Sequence, residues 1–476
     1  MQLPDGIVAV VKKDCPTCIL VEPVLQAIEK DGLVLTVYVQ DEPTFPDVGK
    51  VVDDTELECS YNLEIETVPT LIKVENGTEQ TRSIGWVRDE WQQLTGLGGL
   101  GNDLPEFRPG CGSISVEPGV ADRLALRYGD FDVASRRIEV AGTEDEIEYC
   151  FDRGWSDGLP VVPPTEERLY RMLQGTTRAP DEVLGEAPPD LATCTIEKVA
   201  LNAVMAGCKP EYLPTVIAAV EAALDPAFCM HGLLATTWFS GPMAIVNGPA
   251  RKAIGMNWKG NLFGQGNRAN ATIGRALQLV IRNVGGGRPQ EADQSAFGHA
   301  GKITNCFAED EDTPWQTLAE ERGFTDGQST VTLFSADGPQ GVFDQIARSP
   351  EDLVHTLADS LAAVQNTKMV NGSDVVMVIG PEHGRVFDDA GWSKARATEA
   401  LQAAALVEGV DLGMGTDKST GQPLSDPKSS LKPKFRPGGL QLVRAGGDAG
   451  MFSAIIPGWL MKGTLGTDPV IKEIVT

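Results

Sequence analysis

The hydrophobic pattern at the start of the chain alternates between short apolar runs and one long amphipathic segment. Residues 7–11 form a largely β-branched run, which predicts a buried strand. Residues 19–30 carry apolar side chains at helical spacing on one face, which predicts a helix. Residues 33–39 and 66–74 predict two further strands, and an Asn-Gly turn follows the second of them. The pattern therefore predicts an α/β unit at the beginning of the chain.

A repeated pattern marks the second part of the chain. An apolar run that ends in Gly-Pro occurs twice, at residues 244–249 and 376–381. One predicted helix precedes and another follows each copy. These helices are residues 212–224, 271–281, 352–364 and 394–406. Because helix, apolar strand, Gly-Pro turn and helix recur in that order, we predict an α/β domain of two pseudo-equivalent halves. A ligand site is expected between the halves, at the carboxyl ends of the strands.

The stretch between these two patterns is rich in glycine and proline. Glycine occupies four of the six positions 96–101, and Pro105, Pro109 and Gly110 follow. This composition is typical of a linker. We therefore predict a first domain at residues 1–96, a Gly/Pro-rich linker region at 97–142 and an α/β catalytic domain at 143–476.

Composition and charge narrow the class of protein. The 476 residues include 42% hydrophobic and 22% charged residues, as in a globular enzyme, and their number favours two or three domains. The formal net charge of -27 opposes binding to nucleic acid or anionic lipid, since both need clustered Lys and Arg. The N-terminus carries no signal-like pattern, and no apolar stretch reaches the ~18 residues that a membrane helix needs. We expect a cytoplasmic homo-oligomer that acts on a small-molecule substrate, with no nucleic-acid or membrane partner.

Two of the nine cysteines form a C-x-x-C motif between the first predicted strand and helix. Cys15 stands at the helix N-terminus, where free N–H groups and the helix dipole lower a thiol pKa, an effect that Asp14 opposes. Cys18 lies one turn further on and is placed to resolve a mixed disulfide formed at Cys15. The alternatives are half of a zinc site or a pair of inert core thiols. No second C-x-x-C or His pair has zinc-finger spacing, so we predict a redox-active disulfide between Cys15 and Cys18, no metal and no other cofactor.

The surroundings of this motif resemble a known family. A C-x-x-C motif at a strand-to-helix position, with Val68-Pro69-Thr70 ahead of a strand hairpin, is similar to the thioredoxin superfamily over residues 1–96. The resemblance implies a thioredoxin-like fold and a cis proline against the dithiol, for which Pro69 is the counterpart. The chain reads Asp-Cys-Pro-Thr-Cys where the family commonly has Trp-Cys-Gly-Pro-Cys, so the resemblance implies neither a redox potential nor a choice of partner.

A further cysteine, Cys111, lies between turn residues in the predicted linker region. A thiol in such a segment can be exposed and can carry electrons between domains. The alternative is a loop cysteine that packs under the junction. The sequence leaves both interpretations open.

The second domain contains a first candidate site around His299. Lys302, Cys306 and Glu309 follow within a dozen positions, and a predicted strand at residues 302–308 would place Lys302 and Cys306 on one face. A histidine, a lysine, a thiol and a carboxylate can form an activated nucleophile with a general acid. A buried cysteine beside a hydrogen-bonded histidine is the alternative.

A second candidate is a glycine-rich loop that leads into a predicted helix. Such a helix start presents free N–H donors to a carboxylate or phosphate. The candidate ligand-binding residues are Gly264, Gly266, Asn267, Arg268, Asn270, Thr272, Arg275 and, from the first site, Lys302. The loop lacks the Gly-Lys-Ser/Thr ending of a P-loop, so a tight connection with an ordinary helix cap is the alternative.

The third candidate is the pair Glu382 and His383, just past a predicted strand end, where catalytic residues of α/β folds commonly lie.

A metal centre would need ligands, and the best set is His231 with three cysteines, Cys194, Cys208 and Cys229. That set lacks a recognised zinc spacing.

The larger domain also resembles a known group. Residues 153–168, 267–275 and 446–459 are similar to the large domain of the UGSC-like (seleno)protein group, a resemblance that covers residues 143–476. The group is named for a Sec/Cys-Gly-Ser-Cys motif, whereas the nearest string here, residues 111–114, lacks the last cysteine. The resemblance implies thiol or selenol redox chemistry and no particular substrate.

Together these features predict a thiol-dependent oxidoreductase. In this hypothesis Cys15 and Cys18 exchange electrons with a site in the second domain, with a thiol reductant or reductase as a partner. One alternative is a lyase or hydrolase in the second domain that the first domain regulates. The other is a thioredoxin-fold binding protein.

Overall fold

The first predicted strand lies at the centre of a five-stranded sheet in the computed structural model. The structure describes residues 2–142, 145–411, 419, 431–459 and 467–475. It separates into two units, Met1–Asp132 and Val133–Thr476. The outer limits predicted for the second domain, residues 143 and 476, lie outside the described residues.

The first unit contains a mixed sheet and four helices. Its strands are β1 (Gly6–Val11), β2 (Leu35–Val39), β3 (Val51–Asp53), β4 (Thr67–Val68), β5 (Thr70–Glu75), β6 (Thr78–Ile84), β7 (Trp86–Val87), β8 (Phe107–Arg108) and β9 (Cys111–Gly112). Its helices are α1 (Pro16–Lys30), α2 (Glu58–Asn62), α3 (Arg88–Thr95) and α4 (Val120–Tyr128). The main sheet has the order β3-β2-β1-β5-β6, in which β1, β2 and β3 run parallel while β5 and β6 pair antiparallel.

Four elements of the first unit differ from their predicted bounds, of which β1 and β2 differ by only one or two residues at the start. The helix α1 begins at Pro16 rather than residue 19, because Cys15 caps it and proline suits the first helical position, where no N–H partner is required. The strand predicted at residues 66–74 is divided into β4 and β5 by Pro69, which has no N–H to donate to a ladder and whose bond to Val68 is cis.

Residues 97–132, predicted to belong to a linker, fold with the first unit. Leu100 lies in its apolar core, and the indole of Trp86 donates to the Pro105 carbonyl at 2.6 Å. The strand β8 pairs with β7, and β9 pairs with β4. The glycines and prolines of this stretch therefore form turns that bring it back onto the unit.

The second unit contains fourteen strands and ten helices among its described residues. The strands are β10 (Val183–Ala187), β11 (Ala192–Thr195), β12 (Gly241–Asn247), β13 (Cys306–Ala308), β14 (Thr330–Ala336), β15 (Gln340–Phe343), β16 (Met369–Val370), β17 (Val375–Ile379), β18 (Leu406–Val407), β19 (Val410–Asp411), β20 (Lys432–Pro433), β21 (Leu440–Arg444), β22 (Phe452–Pro457) and β23 (Val470–Glu473). The helices are α5 (Glu146–Asp152), α6 (Glu166–Leu173), α7 (Ile196–Ala206), α8 (Leu213–Leu224), α9 (Met230–Ala235), α10 (Pro249–Ala253), α11 (Arg268–Asn283), α12 (Pro350–Ala363), α13 (Pro381–Asp389) and α14 (Lys394–Ala404).

Two four-stranded sheets of the second unit repeat one arrangement. One has the order β13-β12-β14-β23 and the other β21-β17-β22-β15. In each, the strand that ends in Gly-Pro, β12 or β17, pairs parallel on one side and antiparallel on the other. The four predicted flanking helices are present as α8, α11, α12 and α14. The predicted α/β class is confirmed, and the two copies seen in the sequence are the centres of two like sheets.

The two sheets share an apolar core. Ile245 and Phe334 from one sheet and Val376 and Ile456 from the other belong to one buried cluster. The helices α8 and α11 contact the first sheet, and α12 and α14 form a second apolar cluster with β17 and β21. Because each sheet buries one face on the other sheet and one on helices, the sheet edges are where polar side chains can gather.

Among the described residues, no single helix has the length and apolar character needed to cross a membrane. One pair of helical segments, Pro210–Leu224 and Pro226–Ala235, meets that criterion jointly, with a 67° bend between them.

Candidate active site

The first turn of α1 positions the C-x-x-C motif. Cys15 is the N-cap residue, with an extended backbone, and its sulfur accepts the Cys18 N–H at 3.3 Å. Cys18 lies in the first turn, so both sulfurs face the same end of the helix. Both side chains are fully buried. The motif therefore combines a thiol at free helical N–H groups, the position that the sequence predicts for Cys15, with a second thiol packed in the core.

The two thiols have opposite pKa shifts. A hydrogen bond from the Cys18 side chain lowers the pKa of Cys15 to about 5, in spite of burial, and the Cys111 thiol and the backbone N–H groups of Cys18 and Thr17 add to this effect. Burial, followed by the hydrogen bond to Cys15, raises the pKa of Cys18 far above its ordinary range. At neutral pH the reduced pair is therefore one thiolate and one thiol.

The segment around Pro69 lies against the nucleophile. The Val68 carbonyl is 3.6 Å from the Cys15 sulfur and accepts a hydrogen bond from the thiol when Cys15 is protonated. The peptide bond between Val68 and Pro69 is cis. The cis peptide bond thus lies next to the Cys15 sulfur through the Val68 carbonyl.

Cys111 is the third thiol of this site. It lies in β9 directly across the ladder from Val68, and its side chain is hydrogen-bonded to that of Cys15. Burial, the hydrogen bond to Cys15 and the Cys15 charge raise the pKa of Cys111. Unlike Cys15 and Cys18, Cys111 is partly exposed. The sequence placed Cys111 in a linker and gave no signal that it would meet the motif.

Two further residues of this site escaped the sequence analysis. The Thr17 hydroxyl donates to the Pro109 carbonyl at 2.7 Å, and the Lys12 ammonium donates to the Gly112 carbonyl at 2.9 Å. Thr17 lies inside the C-x-x-C motif and Lys12 just before it, so their nearness to the dithiol was visible in the sequence. Their partners, almost a hundred residues away, were not.

The candidate cluster around His299 is not assembled in the second unit. Residues 302–308 are not one strand, because Ala300–Lys302 form a 3-10 turn capped by His299 and only Cys306–Ala308 are extended. The His299 ring bonds to the Ala336 carbonyl at 3.1 Å, and the Lys302 ammonium binds Asp293 and Ser295. The prediction that Lys302 and Cys306 lie on one face of a strand is wrong, because the partners of His299 and Lys302 hold residues 300–302 in a turn.

The thiol and the carboxylate of that candidate cluster are both buried. Burial raises the pKa of Cys306 well above that of an ordinary thiol, so it is a neutral core side chain at neutral pH. Burial also raises the pKa of Glu309, whose carboxylate accepts the Asn247 amide at 2.6 Å and the Leu318 N–H at 2.8 Å, with the Lys394 ammonium 4.0 Å away.

Glu309 nevertheless lies next to a cleft. Glu309 follows β13 and Asn247 ends β12, so the carboxyl ends of two parallel strands meet there. A cleft of about 600 Å³ opens beside them, lined by Gly248, Arg251 and Glu311 among others. Arg251 is buried, pairs with Glu311 at 2.9 Å and lies over the Trp258 ring. Arg251, Asn247 and Lys394 were not predicted, although the first two adjoin the first Gly-Pro turn.

The glycine-rich loop has structural partners for its candidate ligand-binding residues. Asn267 caps α11 by accepting the Asn270 N–H, and Asn270 bonds to both backbone groups of Asn257. Arg268 donates to the Gly207 carbonyl, and the Thr272 hydroxyl donates within the helix. Arg275 makes a two-bond pair with Asp157 at 2.7 and 2.8 Å. Gly264 and Gly266 lie in the loop itself, where Gly266 has a φ of 115°. A ligand role for these residues stays a prediction.

The third candidate is divided between surface and core. His383 is fully buried in the first turn of α13, where its ring bonds to the Ser453 hydroxyl at 2.8 Å and burial lowers its pKa. Glu382 pairs with Arg385 at 3.4 Å and borders a separate cleft of about 460 Å³. The two side chains thus lie in different environments.

No group of three or more His, Cys, Asp or Glu side chains among the described residues is arranged to hold a metal ion.

Comparison of the chain with models of protein families, with curated proteins and with solved structures finds no match.

Proposed function

We propose that this protein is a thiol–disulfide oxidoreductase whose reacting pair is Cys15 and Cys18. One observation carries the proposal: Cys15 caps α1, and its sulfur accepts the Cys18 N–H at 3.3 Å. In this position the pKa of Cys15 is lowered to about 5, while that of Cys18 is strongly raised. A thiolate is the nucleophile of disulfide exchange, and a low pKa also makes it a good leaving group. The thioredoxin resemblance of this region is part of the same proposal.

The chemistry follows from this difference. The Cys15 thiolate attacks one sulfur of a substrate disulfide, forms a mixed disulfide and releases one substrate thiol. The negative charge on Cys15 is then gone, which removes one cause of the raised pKa of Cys18. Cys18 loses its proton and attacks the Cys15 sulfur, which releases the second substrate thiol. Two protein thiols are oxidised to a disulfide, and one substrate disulfide is reduced to two thiols.

Variants of the full chain test this proposal. We expect wild-type protein incubated with glutathione disulfide to contain a Cys15–Cys18 disulfide, detected by mass spectrometry of unreduced peptides. Cys15→Ser should abolish turnover of the glutathione disulfide. Cys59→Ser is the matched control, since Cys59 is a buried thiol of the same unit that burial keeps protonated. Wild-type turnover by Cys15→Ser, or wild-type peptides without the Cys15–Cys18 bond, would contradict the proposal.

The second unit is proposed to handle the small-molecule substrate that the dithiol oxidises or reduces. The cleft beside Glu309 supports this role, because it lies at the carboxyl ends of parallel strands, the usual ligand position in α/β folds. The same cleft would also serve the alternative, a lyase or hydrolase whose first unit is regulatory. Loss of substrate conversion in Cys15→Ser supports the oxidoreductase, whereas unchanged conversion supports the alternative. A homo-oligomer and a thiol reductant as partner complete the proposal.

A further inference from the structure

The strand β9 holds Cys111 against the nucleophile. It pairs antiparallel with β4, and the Cys111 residue is opposite Val68, whose carbonyl lies 3.6 Å from the Cys15 sulfur. The Cys111 and Cys15 side chains are also close enough for each to shift the pKa of the other. Cys15 therefore has two thiol neighbours, Cys18 on its own helix and Cys111 on a strand more than ninety positions later in the chain.

The segment that carries Cys111 is fastened on both sides of the thiol. Thr17 binds the carbonyl of Pro109, and Lys12 binds the carbonyl of Gly112. Between them Gly110 packs so closely that a Cβ atom there would lie 2.4 Å from the Thr67 side chain and 2.6 Å from the Val68 carbonyl. One anchor, Thr17, lies inside the C-x-x-C motif and the other, Lys12, just before it, so the position of Cys111 is set by the dithiol region itself.

Exposure distinguishes the three thiols. Cys15 and Cys18 have no exposed surface, whereas Cys111 is partly exposed. Disulfide exchange requires the attacking sulfur to reach the attacked one, so an external thiol can meet a sulfur of this site at Cys111. A disulfide confined to Cys15 and Cys18 would offer it no exposed sulfur.

We propose that Cys111 is an internal disulfide partner of Cys15, and that the disulfide of this unit moves from Cys15–Cys18 to Cys15–Cys111 in order to react with a small-molecule thiol at the surface. This inference rests on the proposed function, which supplies the first disulfide.

The exchange balances without any further oxidant. In the oxidised unit Cys111 loses its proton and attacks the Cys15 sulfur; the Cys15–Cys18 bond breaks, and Cys18 takes up a proton. An external thiol then loses its proton and attacks the exposed Cys111 sulfur, which releases Cys15 as a thiolate. A second external thiol then loses its proton and attacks the external sulfur of the mixed disulfide, and Cys111 leaves and takes up a proton. The products are one external disulfide and the reduced protein, so two external thiols are oxidised and one protein disulfide is reduced. Glutathione can serve as the external thiol.

The electrostatics of the site agree with these steps. Besides burial, the hydrogen bond and the charge of Cys15 raise the pKa of Cys111, and both are absent once Cys15 is in a disulfide. Cys111 is thus easier to deprotonate in the oxidised form, where it must attack. In the second step the leaving group is Cys15, whose low pKa favours its departure.

The test uses full-length Cys18→Ser, which removes the competing partner. After treatment with glutathione disulfide, we expect unreduced peptide mapping to show a Cys15–Cys111 disulfide. Cys18→Ser/Cys111→Ser should instead keep glutathione on Cys15, and Cys18→Ser/Cys59→Ser, the matched control, should still form Cys15–Cys111. In otherwise wild-type protein, Cys111→Ser should form the Cys15–Cys18 disulfide with glutathione disulfide, and oxidise added glutathione, more slowly than wild type by the same factor, because these are the two directions of one exchange.

The outcomes separate this inference from the proposed function. If Cys18→Ser carries glutathione on Cys15 while Cys111 remains free to react with an alkylating reagent, the inference is wrong, although a wild-type Cys15–Cys18 disulfide would leave the proposed function standing. Undiminished glutathione oxidation by Cys111→Ser would also overturn the inference. If wild-type protein forms no Cys15–Cys18 disulfide, the proposed function itself fails.

Discussion

Cys15 differs from the other thiols of the chain because its negative charge has several hydrogen-bond donors. The Cys18 and Cys111 thiols and the N–H groups of the first turn all point to one sulfur. Cys194 and Cys306, which are buried and have no such hydrogen bond to lower their pKa, have raised pKa values. Burial alone therefore makes a thiol inert, and the donors at the helix start are what activate Cys15.

We predict that the Cys15 thiolate titrates near pH 5. A lowered pKa means that the thiolate is present above that value and is lost as the pH falls through it. The ultraviolet absorbance of thiolate, measured as the difference between reduced wild type and Cys15→Ser, should show this midpoint. Cys111→Ala should move the midpoint upward because one donor is lost, whereas Cys59→Ala should not. A midpoint at the ordinary thiol value of about 8.5 would contradict the prediction.

Single residues also show where sequence reasoning succeeds. The roles of Cys15 and Cys18 follow from a local motif, because the helix start lies within three residues of both. The contact of Cys111 with Cys15 depends on chain folding over more than ninety positions, and no local pattern reports it. The predicted strand at residues 302–308 was wrong for a related reason, because residues 300–302 form a turn whose side chains have partners outside that segment.

At the scale of elements, α11 is held to the segment before α6 by one ion pair. Arg275 binds Asp157 through two hydrogen bonds, and both side chains are mostly buried. Burial by itself would raise the pKa of Asp157, but the hydrogen bonds and charge of Arg275 outweigh it, so the pKa lies below its ordinary value. The glycine-rich loop and its helix are therefore built into the fold by the arginine that the sequence assigned to a ligand.

We predict that Arg275→Ala lowers the free energy of unfolding by about 1–3 kcal/mol at pH 7, because it leaves a mostly buried carboxylate without its partner. The pKa of Asp157 is lower in the folded protein than in the unfolded chain, where it is about 4. The loss of unfolding free energy should therefore be largest above about pH 4 and should shrink as the pH falls below it. Urea denaturation measures it. Lys252→Ala, which removes an exposed ion pair with Asp312, should cost less than about 1 kcal/mol; equal losses in the two variants would contradict the prediction.

A glycine controls the approach of β9 to β4. We predict that Gly110→Ala displaces this strand, because the new methyl group would overlap the Val68 carbonyl, and that Cys111 then reacts faster with a maleimide reagent. Gly112→Ala is the control, since a Cβ atom there has no neighbour within 4 Å. Equal rates of Cys111 modification in the two variants would show that the strand does not need its glycine.

Elements were predicted best where their pattern is long. The sequence predicted six long elements, because an amphipathic or apolar run of this length can bury its apolar side chains in only one type of secondary structure. They are the helices α8, α11, α12 and α14 and the strands β12 and β17. Short elements were not predicted: β8 and β9 contain two residues each, and their pairing rather than their composition makes them strands. The strand predicted at residues 302–308 is absent over its first part, because the His299 cap and the Lys302–Asp293 ion pair stabilise a turn there.

The whole molecule consists of two units, each with a core of its own. Chains of this kind unfold in more than one step. We predict two calorimetric transitions for the reduced protein. Oxidation of Cys15 and Cys18 should lower the Tm of one transition, because it removes the stabilised thiolate while a short disulfide loop constrains the unfolded chain little.

Oxidation should leave the Tm of the second transition unchanged. In Cys15→Ser, treatment with the same oxidant should no longer lower the Tm of the first transition. A single transition, or a shift of both, would show that the units do not unfold separately.

The sequence by itself determined the α/β class, the helix-capping dithiol and the duplicated strand pattern, since each depends on residues within about one element of each other. Tertiary structure alone decided that residues 97–132 fold with the first unit, that Cys111 lies beside Cys15, and that residues 300–302 form a turn instead of the start of a strand. These depend on which distant segments share a ladder or a core, and hydrophobic periodicity records only that a side chain is buried, not what it is buried against.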